Sequence, residues 1–272
     1  MKITVAGGDA RMLYALKYFE EAGFEVTTLG LSREREENFR AIDNSTAVVL
    51  PLPCAKGGIL NAPMSNVAIN IGDIFSRGSE KTLFIGGNLP KLGNNLVDLT
   101  TREDFLLKNA YLTAEGGLEI ALNSLDISLS GANVIVLGYG RIGRCLANML
   151  RSLHANVTSV SRRSESRAEA EILGIKAIRL NELESALKNA DIIFNIIPSR
   201  VLGKDELNVI KPEVPIVELA SSPFGIDFDY ANSIGLNVIK AQALPGKTAP
   251  KTAGKIIFET AVSILGERGV LK

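Results

Sequence analysis

The chain has 272 residues, enough for one large or two ordinary domains. It is 46% hydrophobic and 22% charged, the composition of a globular protein, and thirty Lys and Arg balance thirty Asp and Glu. That neutrality gives no reason for nucleic acid or an anionic membrane to be the main partner, and no apolar run approaches transmembrane length.

Residues 3–6 read as a strand, followed by the turn Gly7-Gly8-Asp9 and a helix whose apolar stripe is Leu13, Leu16, Tyr18 and Phe19. Gly23 ends that helix, and further strands are expected at 24–29, 47–50, 82–85 and 96–99. A helix is expected over 113–125, with Thr113 as its N-cap, before the polar break 128–131. The pattern then restarts, with strands at 133–137, 156–160, 176–180, 191–196, 215–219 and 237–240 and helices between most of them. A last helix over about 250–266 opens on Pro250, a residue suited to a first turn. Alternating strands and helices predict an α/β fold of two doubly wound parallel-sheet domains. The expected division is 1–125, a substrate-side domain, and 126–272, with the last helix free to pack back on the first domain. No basic, apolar leader precedes Ile3, so cytoplasmic residence is the expectation. Cys54 and Cys145 show no metal-ligand spacing and are read as free thiols.

The sharpest signal is Gly138-Tyr139-Gly140-Arg141-Ile142-Gly143, placed directly after a strand and before the apolar helix of Ile142, Leu146, Met149 and Leu150. In that context the first glycine permits a tight turn, the second lets backbone approach a pyrophosphate, and the third lets helix and strand pack closely. The helix N-terminus then offers N–H groups and partial positive charge to phosphates. This predicts a Rossmann dinucleotide-binding domain in the second half. The next strand ends in Ser161-Arg162-Arg163 rather than in the carboxylate that binds a ribose 2′-OH. A guanidinium can instead clamp a 2′-phosphate, so NADP is expected, with Arg162 the first choice and Arg163 the second; NAD stays an alternative. Asn195 and Pro198 follow at the end of the fourth strand, where the nicotinamide ribose and ring are expected. Asn195 reads equally well as a structural turn amide. The loop 220–225 follows another strand at the same sheet edge.

An ordinary hydroxy-acid dehydrogenase needs a strong acid/base, and His154 is the only histidine. It falls in a turn away from the strand carboxyl ends, so that chemistry is disfavoured. Cationic groups are better represented. Residues 244–254 read as a loop entering the last helix, where Lys247, Thr248 and Lys251 could hold a substrate carboxylate. Arg11 and Glu115 are weaker candidates, and for all five the alternative is a cap or a surface charge. No metal site is expected.

Taken together, the GGDAR turn, the LPLP strand end, TAEGGLEIAL, VIVLGYGRIGRCLA, DIIFNIIP and ALPGKTAPKTAG resemble the dipicolinate synthase A-subunit family over almost the whole chain. The resemblance implies oxidation of dihydrodipicolinate to pyridine-2,6-dicarboxylate with a nicotinamide dinucleotide during spore formation, alongside the flavoprotein-like B subunit of dipicolinate synthase. It supplies no catalytic residue. Two other readings stay open: a shikimate- or methylene-tetrahydrofolate-type NADP dehydrogenase, and a non-catalytic nucleotide-binding regulatory subunit. Self-association is left open.

Overall fold

β1 (Lys2–Ala6) forms from β-branched and apolar residues that suit a strand covered on both faces. The computed structural model describes residues 1–32, 38–90 and 93–271. Gly7 and Gly8 turn the chain after β1 at φ +66° and +94°, a region that strains other residues. Asp9 caps α1 (Ala10–Glu21) by accepting the backbone N–H of Arg11. The inward stripe of α1 differs from expectation: Met12, Ala15 and Phe19 are buried, while Leu13, Leu16 and Tyr18 are half-buried beside them. Residues 12, 15 and 19 keep the i, i+3, i+7 spacing, so the helix is rotated relative to the row chosen by size alone. Then follow β2 (Glu25–Leu29), β3 (Ala47–Val49), the short antiparallel pair β4 (Ala55–Lys56) and β5 (Ile59–Leu60), α2 (Ile71–Arg77), β6 (Leu83–Gly86) and β7 (Leu96–Asp98). The parallel sheet runs β2-β1-β3-β6-β7.

α3 (Glu103–Ser124) starts ten residues before the expected helix, and Thr113 is buried inside it rather than capping it. Phe105, Ala110 and Leu112 are buried ahead of Thr113, and Glu103 and Asp104 in the first turn suit the helix dipole. The described residues divide into two units, Met1–Asn109 with Ala249–Lys272, and Ala110–Thr248. The division falls inside α3, between Asn109 and Ala110, whereas the polar break that follows the helix suggests 125/126; the added first half of α3, absent from the expected helix, belongs with the first unit as far as Asn109.

The second unit continues with β8 (Asn133–Leu137), α4 (Arg141–Ser152), β9 (Asn156–Val160), α5 (Ser164–Ile172), β10 (Lys176–Ile178), α6 (Leu183–Leu187), β11 (Ile192–Asn195), α7 (Lys204–Asn208), β12 (Ile216–Glu218), α8 (Phe228–Ser233), β13 (Val238–Lys240) and α9 (Leu244–Thr248). Its six-stranded sheet is parallel throughout, in the order β10-β9-β8-β11-β12-β13. One face carries the core of Ala121, Val134, Val136, Leu146, Leu150 and Phe194; the other carries Ile135, Leu137, Ile193, Leu207 and Ile216. Burying a side chain such as Phe194 completely contributes roughly 1.5–3 kcal/mol. The strand order reverses between β8 and β11, the place where open α/β sheets bind ligands.

The stretch 244–254, expected as a loop, is instead α9 and the start of α10 (Pro250–Glu267). Ala249 alone separates them, at φ −137° and ψ 52°, and Pro250 fills the first turn, where its missing N–H costs nothing. α10 packs on α1 within the first unit. No helix among the described residues is long and apolar enough to cross a membrane.

Candidate functional site

β8 delivers the chain into the glycine turn. Gly138 lies at φ +105°, and its N–H donates to the carbonyl of Val160 at 2.9 Å, pinning the turn to β9. A Cβ on Gly143 would overlap the carbonyl oxygen of Gly138, so helix and turn touch backbone to backbone. Gly140 behaves differently. It is the N-cap of α4 at φ −89° and ψ −161°, no side chain caps the helix there, and an added Cβ would meet no atom within 4 Å. The backbone at Gly140 therefore faces open space, beside the N–H groups that open α4. Tyr139 turns inward and is buried in the core with Leu146 and Leu150; Ile142 is half-buried and Arg141 exposed. Burial pushes the Tyr139 phenol up, with the Glu169 charge adding to it and Arg144 opposing. Residues 138–143 thus have the shape and donor set that fit a pyrophosphate.

At the end of β9, Ser161 is buried and its N–H donates to Ile178. Nη1 of Arg167 donates to the carbonyls of Ser161 and Arg162, at 2.9 and 2.8 Å, and so braces the turn from below. Arg162 and Arg163 are exposed. Arg163 stands 3.9 Å from Glu165, a loose surface pair, while Arg162 forms no ion pair among the described residues.

Asn195, at the end of β11, is fully buried. Its Nδ2 donates to Glu218 Oε1 at 2.7 Å and to the carbonyl of Ile197 at 3.1 Å, and its Oδ1 accepts the N–H of Ile197. The side chain is committed to the protein, so the turn-amide reading describes it better than ligand contact does. Pro198 is exposed beyond it. Sequence reasoning missed Glu218. Its carboxylate also accepts the N–H groups of Ala220 and Gly225, both at 3.0 Å. Burial pushes its carboxyl up, and the N–H donors of Gly225, Asn195 and Ala220 oppose that rise. A glutamate inside the apolar run of Ile216, Val217 and Leu219 was the available signal.

The remaining candidates fall in both units. In the first unit the Arg11 guanidinium is held by Asp9 at 2.8 and 3.0 Å and by the Leu52 carbonyl at 3.3 Å. It is therefore neutralised, which weakens its candidacy for a substrate carboxylate. Burial raises Asp9, but the hydrogen bonds and charge of Arg11 outweigh it and hold the carboxyl below its usual range. Glu115 is exposed on α3; its neighbours Gly116 and Gly117 pack on Leu244 and on Leu146 and Leu219. Lys247 is exposed on α9, and Thr248 turns its hydroxyl back onto the Leu244 carbonyl at 3.0 Å. Lys251 is exposed in the first turn of α10. His154 is exposed at φ 64° in the turn before β9. Cys54 and Cys145 are free thiols.

The family model of the dipicolinate synthase A-subunit N-terminal domain matches residues 2–103, and that of the NAD binding domain of D-isomer specific 2-hydroxyacid dehydrogenases matches residues 111–223. The dipicolinate synthase A subunit of Bacillus subtilis is 32% identical, over 98% of this chain and 96% of that protein. This chain belongs to the dipicolinate synthase A-subunit family. Crystal structures of the family superpose along its length: the A chain from Bacillus subtilis at 30% identity and TM-score 0.85, covering 98% of this chain and 96% of that one, and the A subunit from Bacillus halodurans at 27% and 0.84, covering 97% of each. The family's second domain is of the dehydrogenase type that binds a nicotinamide dinucleotide, and in this chain it contains the glycine turn, Asn195 and Glu218.

Proposed function

We propose that this chain oxidises dihydrodipicolinate to pyridine-2,6-dicarboxylate with NADP in spore formation, acting with a second subunit. The observation that carries this reading is a dehydrogenase glycine turn inside a chain that matches the dipicolinate synthase A subunit over 98% of its residues. The bound dinucleotide supplies a hydride acceptor. Gly138, Gly140 and the opening N–H groups of α4, from Arg141 to Gly143, hold its pyrophosphate, with Tyr139 and Ile142 anchoring the turn in the core. Ser161, Arg162 and Arg163 hold the ribose 2′-phosphate. Asn195 shapes the strand end beside the ring, and Pro198 borders it. In the second unit Lys247, with Thr248 beside it on α9, offers the cation and hydroxyl that a substrate carboxylate needs.

The substrate loses a hydride and a proton and its ring becomes aromatic, so the driving force lies in the substrate itself. The chain needs chiefly to hold and orient it. That agrees with a single exposed histidine. Calorimetric titration should show NADP bound at least about tenfold more tightly than NAD, and Arg162→Ala should erase the difference, since a charge-assisted hydrogen bond is worth about 1.5–3 kcal/mol. Turnover of dihydrodipicolinate with NADP should follow, for the chain alone or once the B subunit is added. Failure to bind either dinucleotide defeats the cofactor assignment, and binding without turnover in both conditions defeats the reaction.

A further inference from the structure

Glu218 is the one fully buried carboxylate among the described residues. Such a group is tolerated when donors surround it, and here three do. They come from two places: Asn195 at the end of β11, and Ala220 and Gly225 in the loop that follows β12. The same loop is tied again from the β11 side, because the Gly225 carbonyl accepts the N–H groups of Val201 and Leu202, both at 2.9 Å. Gly225 has no room for a side chain; a Cβ would strike the Asn195 amide and lie 2.6 Å from the Ile197 carbonyl. Phe224 sits at φ 67°, its ring edge-on to Phe228 with centroids 5.4 Å apart. A bulky residue persists in the left-handed region only where its surroundings over-determine it, and such strain clusters at ligand-facing loops. Pro198, Ser199, Ser221, Ser222 and Pro223 remain exposed around this knot. They stand at the carboxyl ends of β11 and β12, beside the reversal of strand order where an open parallel sheet receives its ligand.

We propose that Glu218 is a positioning residue for the nicotinamide half of the site: its buried carboxylate bolts Asn195 to the loop 220–225, and so fixes the exposed edge formed by Pro198 and residues 221–223 against the ring and the substrate. This rests on the cofactor reading above, and it adds a residue whose effect falls on one half of the dinucleotide only. The adenine half meets the glycine turn and the end of β9, which Glu218 does not touch.

The test compares wild type, Glu218→Gln and Asn195→Ala as full-length chains. Glutamine keeps the length of the side chain but turns an –NH₂ group toward N–H donors. Binding of 2′,5′-ADP, the adenine-half probe, should stay within about twofold of wild type in both variants, while NADP binding should weaken about tenfold, the equivalent of one lost net hydrogen bond. Amide exchange at Ala220 and Gly225 should quicken in Glu218→Gln without any ligand. Asn195→Ala removes the same bolt from the other strand and carries the comparison if Glu218→Gln does not fold. If wild type binds both probes and the variants lose both equally, or neither, the positioning role is overturned while the cofactor reading stands. If neither variant folds, the pair is structural only and the proposal is overturned. If wild type binds neither probe, the cofactor reading fails and this role fails with it.

Discussion

Three glycines share one short motif, yet their surroundings differ: Gly138 and Gly143 are closed in, and Gly140 is open. Gly143 is closed in by the backbone of Gly138, so Gly143→Ala must push helix and turn apart, at a cost of about 1–3 kcal/mol in chemical denaturation. Gly140 faces open space with an ordinary φ, so Gly140→Ala should lower stability by no more than about 1 kcal/mol, the loss of a favourable cap residue. Its methyl group would nevertheless stand where backbone is proposed to meet pyrophosphate. Dinucleotide affinity should therefore fall at least about tenfold in Gly140→Ala. Equal loss of stability in the two variants, with binding intact in Gly140→Ala, would contradict this division of labour. The spacing of these glycines was readable in the sequence because each need is local to the backbone. Asn195 was readable as a strand-end residue with two open roles, but Glu218 and its pairing with Asn195 were not, since that meaning lies in a hydrogen bond between residues 23 positions apart in the chain.

At the scale of elements, the parallel strands were readable from their continuous apolar runs, and the helix boundaries were less so. α3 begins ahead of its expected cap because Phe105, Ala110 and Leu112 extend its buried face, a tertiary effect that outweighs the capping preference of Thr113. The motif at 244–254 looked like a ligand loop because Gly and Pro punctuate it. In the structure Pro250 opens α10, and Gly254 lies within that helix against α1. A Cβ on Gly254 would lie 2.5 Å from the Arg11 carbonyl and 2.6 Å from Tyr14 Cβ. Gly254→Val should accordingly drive the two helices apart and shift the urea midpoint of the full chain by the equivalent of about 2–3 kcal/mol or more. An unshifted midpoint would mean that the helices part without cost and that the glycine serves something other than packing. Gly116 repeats the device in the second unit, where its Cβ would lie 2.9 Å from Leu244. The stretch 244–254 and the segment of α3 beside Glu115, each read as a candidate substrate contact, therefore contain a packing glycine.

For the molecule as a whole, acid should act unevenly. In the first unit Asp9, Asp43, Asp104 and Glu267 are all held below their usual values; in Asp43, Asp104 and Glu267 the main cause is a hydrogen bond from Arg77 or Arg102, and in Asp9 the pull of Arg11 overcomes burial. A carboxyl depressed in the folded state adds stability that is present above its unfolded value, near 3.8 for Asp and 4.5 for Glu, and is lost as pH falls through the folded value. Glu218 in the second unit has the opposite sign. Its carboxyl is raised by burial, so the cost of keeping it charged is present at neutral pH and is relieved as pH falls through its folded value. Glu165 in the second unit is also lowered, by its own backbone N–H, and it is exposed like Asp104 and Glu267, where solvent screens all three; it offsets part of the difference, one depressed carboxyl against four in the first unit among the described residues. Between pH 5 and pH 3 the first unit should thus lose stability faster than the second. Amide exchange during acidification reads this directly: β1, β3, β6 and α10 should lose protection before β8, β11 and β12. Salt at about 1 M, where the Debye length shrinks to roughly 3 Å, should narrow the gap by weakening the Arg77 and Arg102 pairs at neutral pH, leaving less to lose. Loss of protection in β8 and β11 ahead of β1 would show that acid acts through the second unit's core instead, and the assignment of these carboxylates as the acid-sensitive groups would fall.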